Sequence, residues 1–459
     1  MFYNIRQMSF LSYRENGRLT VLRKRCDKMK ERTRLHGQWK KWILYWGIIA
    51  SAMTVIGMIL YTWWTQIPTT IRIKAGVDQT FDFHVPASGE VYLEAVEVGE
   101  FGDGSKPESL KLDLSQKVTF KSEMLETYQM NVKLFGIMPI KQVSIQVIED
   151  RMVMPAGVPI GIYVETQGVL VVGVGEFRAG DGMACAPSKY ILRPGDYILK
   201  VNEEIIEGKK QFMELIEENG EKELMLTVER EKELMKLQVT PRENQNGEAK
   251  LGIWVRDNAQ GIGTLTFVDE RGNFGALGHG INDVDTSALM ELDEGLLYHT
   301  NIISIKKGTN GSPGELTGMI SYSEKNVIGT IRDNTSAGIF GSCDISKMDS
   351  LKDARMLPIG LKQEIRLGDA QILCTVGDEK EYYGIEITEV RLDHDNVNRG
   401  IVIKITDPEL LSLTGGIVQG MSGSPIIQDG KLIGAVTHVL VQDSTRGYGI
   451  FIENMLDHS

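Results

Sequence analysis

Between Trp42 and Ile71 the chain runs for thirty residues without an Asp, Glu, Lys or Arg. The apolar heart of this run, WILYWGIIASAMTVIGMILYTWW, covers the 23 residues 42–64. As a helix it would extend about 35 Å, enough for a hydrocarbon layer of about 30 Å. Trp42, Tyr45 and Trp46 mark one end and Tyr61, Trp63 and Trp64 the other, as at two membrane interfaces. The run is too long and too evenly apolar for a buried core helix; a signal-peptide core is shorter, and no small-residue cleavage site follows the run. We therefore expect an uncleaved transmembrane helix at 42–64. Residues 1–41 carry twelve Lys or Arg against three Asp or Glu, a net of +9, whereas the whole chain is at −12 and the remainder thus at −21. The basic segment 1–41 is expected to stay cytoplasmic, with the rest of the chain on the other side.

At 459 residues the chain is long enough for about three domains. Glycine is abundant at 49 of 459 residues, which favours turn-rich β structure. Acidic balance argues against nucleic-acid binding. No CxxC pair suggests zinc, and neither a metal nor a cofactor is expected. Cys26 would lie inside; Cys185, Cys343 and Cys374 would lie outside, an odd number that leaves at least one free thiol.

Residues 67–150 read as a β-rich domain of short strands, TIRIKAG, TFDFHV, EVYLEAVEV, KVTFKS, YQMNVKLFG and VSIQVIE, with turns at GSKPES and GIMPIK. A small β-sandwich is expected there, with His84 as a surface or packing residue. Residues 158–241 hold GIYVETQGVLVVGV, read as two strands, then LRPGDYILKVN, then a helix QFMELIEENG with Phe212, Leu215 and Ile216 on one face and Gly220 as its stop. This order resembles a PDZ domain, which implies capture of an extended peptide by strand addition. The candidate loop before the binding strand is at 166–169 and is not glycine-rich. Residues 252–459 give many short strands separated by turns, the pattern of a sandwich or barrel.

The sharpest chemical signal is Gly420-Met421-Ser422-Gly423-Ser424-Pro425. A serine in a glycine-flanked turn can offer its hydroxyl together with nearby amides, a nucleophile beside an oxyanion hole. The segment resembles the nucleophile loop of trypsin-like serine proteases, which implies oxyanion donors at the amides of Gly420 and Ser422 and a double β-barrel. FGALGHG sets His279 at the end of a strand pattern, where a general base belongs. Three aspartates compete to orient it. Asp407 lies fifteen residues before Ser422, and Asp283 and Asp285 closely follow His279. Taken alone, Asp407 reads as the N-cap of a short helix with Pro408 at its first position. Ser424 suits a turn-stabilising role, and His438 reads as a core histidine, with lining of the specificity pocket as the alternative.

Together GIGTLTFVD, GALGHGI and TGGIVQGMSGSPIIQDGKLIGAVTHVLV resemble one family, the stage IV sporulation protein B peptidases. The resemblance extends over nearly all of the exported chain. Its catalytic histidine, aspartate and serine match His279, Asp407 and Ser422. It implies a membrane-anchored serine endopeptidase exported from the forespore to the intermembrane space. It further implies self-cleavage and cleavage of the extracytoplasmic part of a membrane-bound regulator. That step would release an intramembrane protease and activate the late mother-cell sigma factor. The alternative is a non-enzymatic PDZ scaffold carrying an inactive protease fold.

Overall fold

The computed structural model describes residues 42–65, 67–93, 109–309, 311–352, 354–377, 379–392 and 396–458. The basic segment 1–41, Cys26, the end of EVYLEAVEV and most of the GSKPES turn lie outside them. The chain forms two units, divided after Ile67.

The first unit carries a single described helix, Trp42–Thr65, whose 24 residues are long and apolar enough to cross a membrane. It is a charge-free run with no core of its own to bury, so its apolar side chains face outward.

The second unit is mainly β. It begins with a five-stranded sheet in the order Thr70–Lys74, Met138–Ile148, Thr127–Leu134, Ala87–Leu93, Leu110–Asp113, in which the first pair is parallel. Alternation drives it: Met130, Val132, Leu134, Val143 and Ile145 are buried, and the residues between them face outward or lie half-buried. A second, two-stranded sheet pairs Gln79–Asp82 with Lys117–Phe120, and Phe81 sits edge-on to Phe120 at 5.3 Å. The expected turn at GIMPIK is shorter than its sequence suggests, because Met138 already opens the next strand after Phe135 and Gly136 take up positive φ.

GIYVETQGVLVVGV, expected as two strands, is the end of a single 23-residue strand, Met152–Val174. Gly168 has φ +67° and bends the strand without reversing it. A Cβ there would lie 2.2 Å from the Ile198 carbonyl oxygen, so backbone packs directly on backbone. The Thr166 hydroxyl donates to the carbonyls of Gly168 and Asp257, which closes the loop expected to receive a peptide. Residues 169–170 pair with the strand Tyr197–Val201, and residues 170–174 pair with 253–256. The helix Lys209–Asn219 packs Phe212, Leu215 and Ile216 into this module and stops at Gly220, as the periodicity predicts. The Arg-Pro-Gly-Asp turn also has a core: Asp196 is fully buried and accepts both Nε and Nη2 of Arg230 at 2.7 Å.

The long strand then joins Ile253–Val268, Asn273–Ala276, Gly338–Cys343, Val327–Thr335 and Leu292–Lys306, and the last pairs back to it. Six strands thereby close into a barrel around Ile160, Leu265, Phe274, Leu297 and Ile339. Its first strand comes from before the helix-bearing module and its second from after it, so a boundary at 252 does not divide the strands into two sets. A second closed barrel contains Gly368–Thr375, Lys380–Val390, Ile401–Ile405, Asp443–Phe451, Lys431–Leu440 and Pro425–Gln428, in that order around the ring. Cys185, Cys343 and Cys374 are separate thiols, and burial pushes that of Cys343 up to about 12.

Candidate active site

Each barrel supplies one wall of a cleft of 530 Å³ lined by His279, Asn282, Gln419, Gly420, Ser422 and His438, among others. The histidine wall begins where the strand Asn273–Ala276 ends. Leu277 and Gly278 follow with φ of +69° and +70°, a double left-handed step that turns His279 out of the sheet. Glycine is required at 278, because a Cβ would meet methyls of Ile450 and Thr437 at 2.9 Å. The His279 Nδ1 lies 2.9 Å from the Gly280 carbonyl oxygen. A carbonyl can only accept, so Nδ1 carries the proton and Nε2 keeps its lone pair. Burial lowers the imidazole pKa, partly offset by that hydrogen bond.

The serine wall lies between the short helix Pro408–Thr414 and the strand Pro425–Gln428. Gly420 and Gly423 have φ of +99° and +98°. A Cβ on Gly423 would sit 2.0 Å from the Thr264 carbonyl oxygen, so the other barrel's backbone fills that space. Ser424 N–H and Oγ both bond the Met421 carbonyl, which gives it the turn-stabilising part expected. The Ser422 hydroxyl donates to the Thr437 carbonyl at 2.7 Å. Among the described residues, the N–H groups of Gly420 and Ser422 have no hydrogen-bond acceptor. Both residues line the same cleft as His279.

His279, Ser422 and Gly420 are thus brought together. Asp407 is not among the cleft-lining residues. Its carboxylate caps the helix Pro408–Thr414, accepting from the amides of Glu409 and Leu410 at 2.9 and 3.1 Å, and from Gly384 at 3.3 Å. Asp283 is buried, ion-paired with Arg256, and accepts from the amides of Asp285 and Thr286. Asp285 also pairs with Arg256, at 2.7 Å. The two hold the loop after His279 and make no hydrogen bond to its ring. His438, expected in the core, is exposed in the cleft with its ring centroid 5.0 Å from that of His279. Desolvation in the cleft, with His279 and Arg399 nearby, pushes its pKa down to about 4. Thr264 and Thr437, which touch the serine loop, were not singled out by sequence reasoning, although Thr264 lies in the distinctive GIGTLTFVD run. No group of three or more His, Cys, Asp or Glu among the described residues is placed to hold a metal.

Residues 247–456 of the chain match the family described as SpoIVB peptidase S55, which supports assigning the chain to it. The chain is a serine peptidase. Similar solved structures include an inactive form of the Rv3671c protease of M. tuberculosis, at 14% identity and TM-score 0.24, covering 43% of this chain and 83% of that one. Another is the HtrA-type protease AlgW with a decapeptide, at 11% identity and TM-score 0.27, covering 66% of this chain and 63% of that one. No curated protein matches the chain.

Proposed function

We propose, taking the match of residues 247–456 to the SpoIVB peptidase S55 family as the premise, that the chain is a membrane-anchored endopeptidase with Ser422 as nucleophile and His279 as general base. The observation that carries this reading is the pair of free amides at Gly420 and Ser422, in one cleft with a histidine whose Nε2 is left basic. In the reaction the Ser422 hydroxyl turns from Thr437 toward His279. As Oγ bonds to the substrate carbonyl carbon, its proton passes to Nε2 and the amides receive the developing oxyanion. Collapse breaks the C–N bond, and the amine leaves with the proton from His279. Water then repeats the sequence and releases the acid. Asp407 is the third member implied by the family resemblance. Its carboxylate caps a helix in this structure, so a role in orienting His279 requires it to leave those amides.

The helix at 42–65 supports anchoring with the peptidase outside the cytoplasm. The family supports a place in sporulation signalling, with self-cleavage and cleavage of a membrane-bound regulator that controls an intramembrane protease and a late sigma factor. For the PDZ-like module, the peptide site best supported lies away from 166–169. Residues 251–255 run beside the helix Lys209–Asn219 around a cavity of 560 Å³ that includes Phe212, Ile216, Leu251 and Ile253. Among the described strands, 253–256 have a partner on one edge only, and the open edge suits an added peptide strand.

The reading is tested by treating the full chain in detergent with a fluorophosphonate and mapping the adduct. One adduct on Ser422, lost in His279→Ala, is expected. A folded chain that stays unmodified sinks it.

A further inference from the structure

The two residues whose amides are free are also the two whose carbonyls are held by one distant side chain and its backbone. Thr264, in the strand Ile253–Val268 of the first barrel, donates its hydroxyl to the Gly420 carbonyl at 2.7 Å and its N–H to the Ser422 carbonyl at 2.9 Å. Its own carbonyl accepts from Leu277 N–H at 3.2 Å, two residues before His279. Thr264 is buried, so these bonds are shielded from competing water.

Gly420 needs such a restraint. At φ +99° it occupies a region where glycine moves freely and other residues do not. Nothing in a glycine side chain fixes the rotation of the flanking peptide planes. The plane after Gly420 is instead gripped at both ends: the Thr264 hydroxyl takes its carbonyl, and the Val418 carbonyl takes the Met421 N–H. The plane after Ser422 is gripped in the same way, by Thr264 N–H on its carbonyl and by the Val436 carbonyl on the Gly423 N–H. The N–H groups of Gly420 and Ser422 lie in the planes before these, whose carbonyls take Leu316 N–H, on Gln419, and Ser424 N–H, on Met421. Gly420 and Ser422 are thus each held by a fixed plane on both sides, and Thr264 supplies the grip on the carbonyl side.

We propose that Thr264 is a positioning residue for the oxyanion hole, its hydroxyl locking the carbonyl side of Gly420 so that the loop cannot rotate about this glycine, while its backbone ties the serine loop to the histidine turn. This rests on Ser422 being the nucleophile. It also accounts for part of the GIGTLTFVD run. Thr264 must face the second barrel, and the space a Cβ on Gly263 would need is filled by Leu277.

The test uses the full chain in detergent and a fluorophosphonate, whose phosphoryl oxygen needs the same amides as Ser422 Oγ bonds to phosphorus and fluoride leaves. Maximal adduct rate and half-saturating concentration are measured separately, beside thermal unfolding, for Thr264→Val, Thr264→Ala and Thr264→Ser. Expected is a fall of about 10- to 100-fold in maximal rate for valine and alanine. Half-saturation should hold, and serine should come within about threefold of wild type. Wild-type rates in a folded valine or alanine variant overturn the proposal, as does a serine variant no better than alanine. If both variants lacking the hydroxyl fail to fold, Thr264 is a packing residue and the proposal is also overturned. Absence of any Ser422 adduct in the wild type instead overturns the nucleophile assignment beneath it.

Discussion

The Ser422 hydroxyl donates to the Thr437 carbonyl at 2.7 Å, along the strand that also carries His438. In the proposed reaction the nucleophile thus starts with its proton on a backbone oxygen, a bond it must leave to pair with His279. Losing a neutral hydrogen bond of this kind costs about 1 kcal/mol, a several-fold effect on rate at most. The base it turns toward must be unprotonated.

Burial lowers the His279 pKa, with the Gly280 hydrogen bond opposing. A base with a lowered pKa stays neutral further into acid. The acid limb of the rate against pH is thus expected below the ordinary histidine value of about 6.5. Adduct formation at Ser422 measured from pH 4 to 8 checks this, and an inflection above about 6.5 would contradict it.

Asp407 separates two roles by substitution. As an N-cap it is replaceable by asparagine, so Asp407→Asn should unfold within about 0.5 kcal/mol of wild type, while Asp407→Ala should lose about 1 kcal/mol. As the residue orienting His279 it needs its charge, and Asp407→Asn should then lose at least about 100-fold in rate while staying folded. Denaturant melts and adduct rates on the same samples decide. Full activity in Asp407→Asn would leave the residue as a cap alone.

Asp196 should be the most sensitive polar position of the helix-bearing module. It is fully buried and holds Arg230 through two hydrogen bonds, as well as the Arg193 amide. Asp196→Ala leaves the guanidinium without its partner and is expected to cost about 3–5 kcal/mol. Urea unfolding of the variant measures it; a loss below about 1 kcal/mol would show that the pair does not hold the turn.

Much of this was legible in the sequence wherever one residue type fixes a local geometry. Phe212, Leu215 and Ile216 repeat at helical spacing and are the buried face of their helix. Asp407-Pro408 reads as a helix start and is one. Gly420 and Gly423 flank a serine and take the positive φ that only glycine tolerates well. What was not legible depends on contacts between distant segments. Gly168 looks like the turn of a hairpin, yet pairing on both sides keeps the strand Met152–Val174 continuous across it. His438 sits on a strand whose apolar neighbours suggest burial, but the strand borders the cleft and its outward side chain meets His279. Thr264 reaches Gly420 across 156 residues of sequence, and no spacing rule covers such a pair.

Whether Ser422 cleaves peptide bonds is decided by the chain acting on itself. Full-length chain and Ser422→Ala are prepared in detergent, incubated separately, then mixed, and fragments are followed by mass spectrometry. Fragmentation of wild type alone is predicted, with Ser422→Ala intact until wild type is added. Identical fragmentation of both proteins on their own would contradict the assignment, because the cut would then not depend on Ser422.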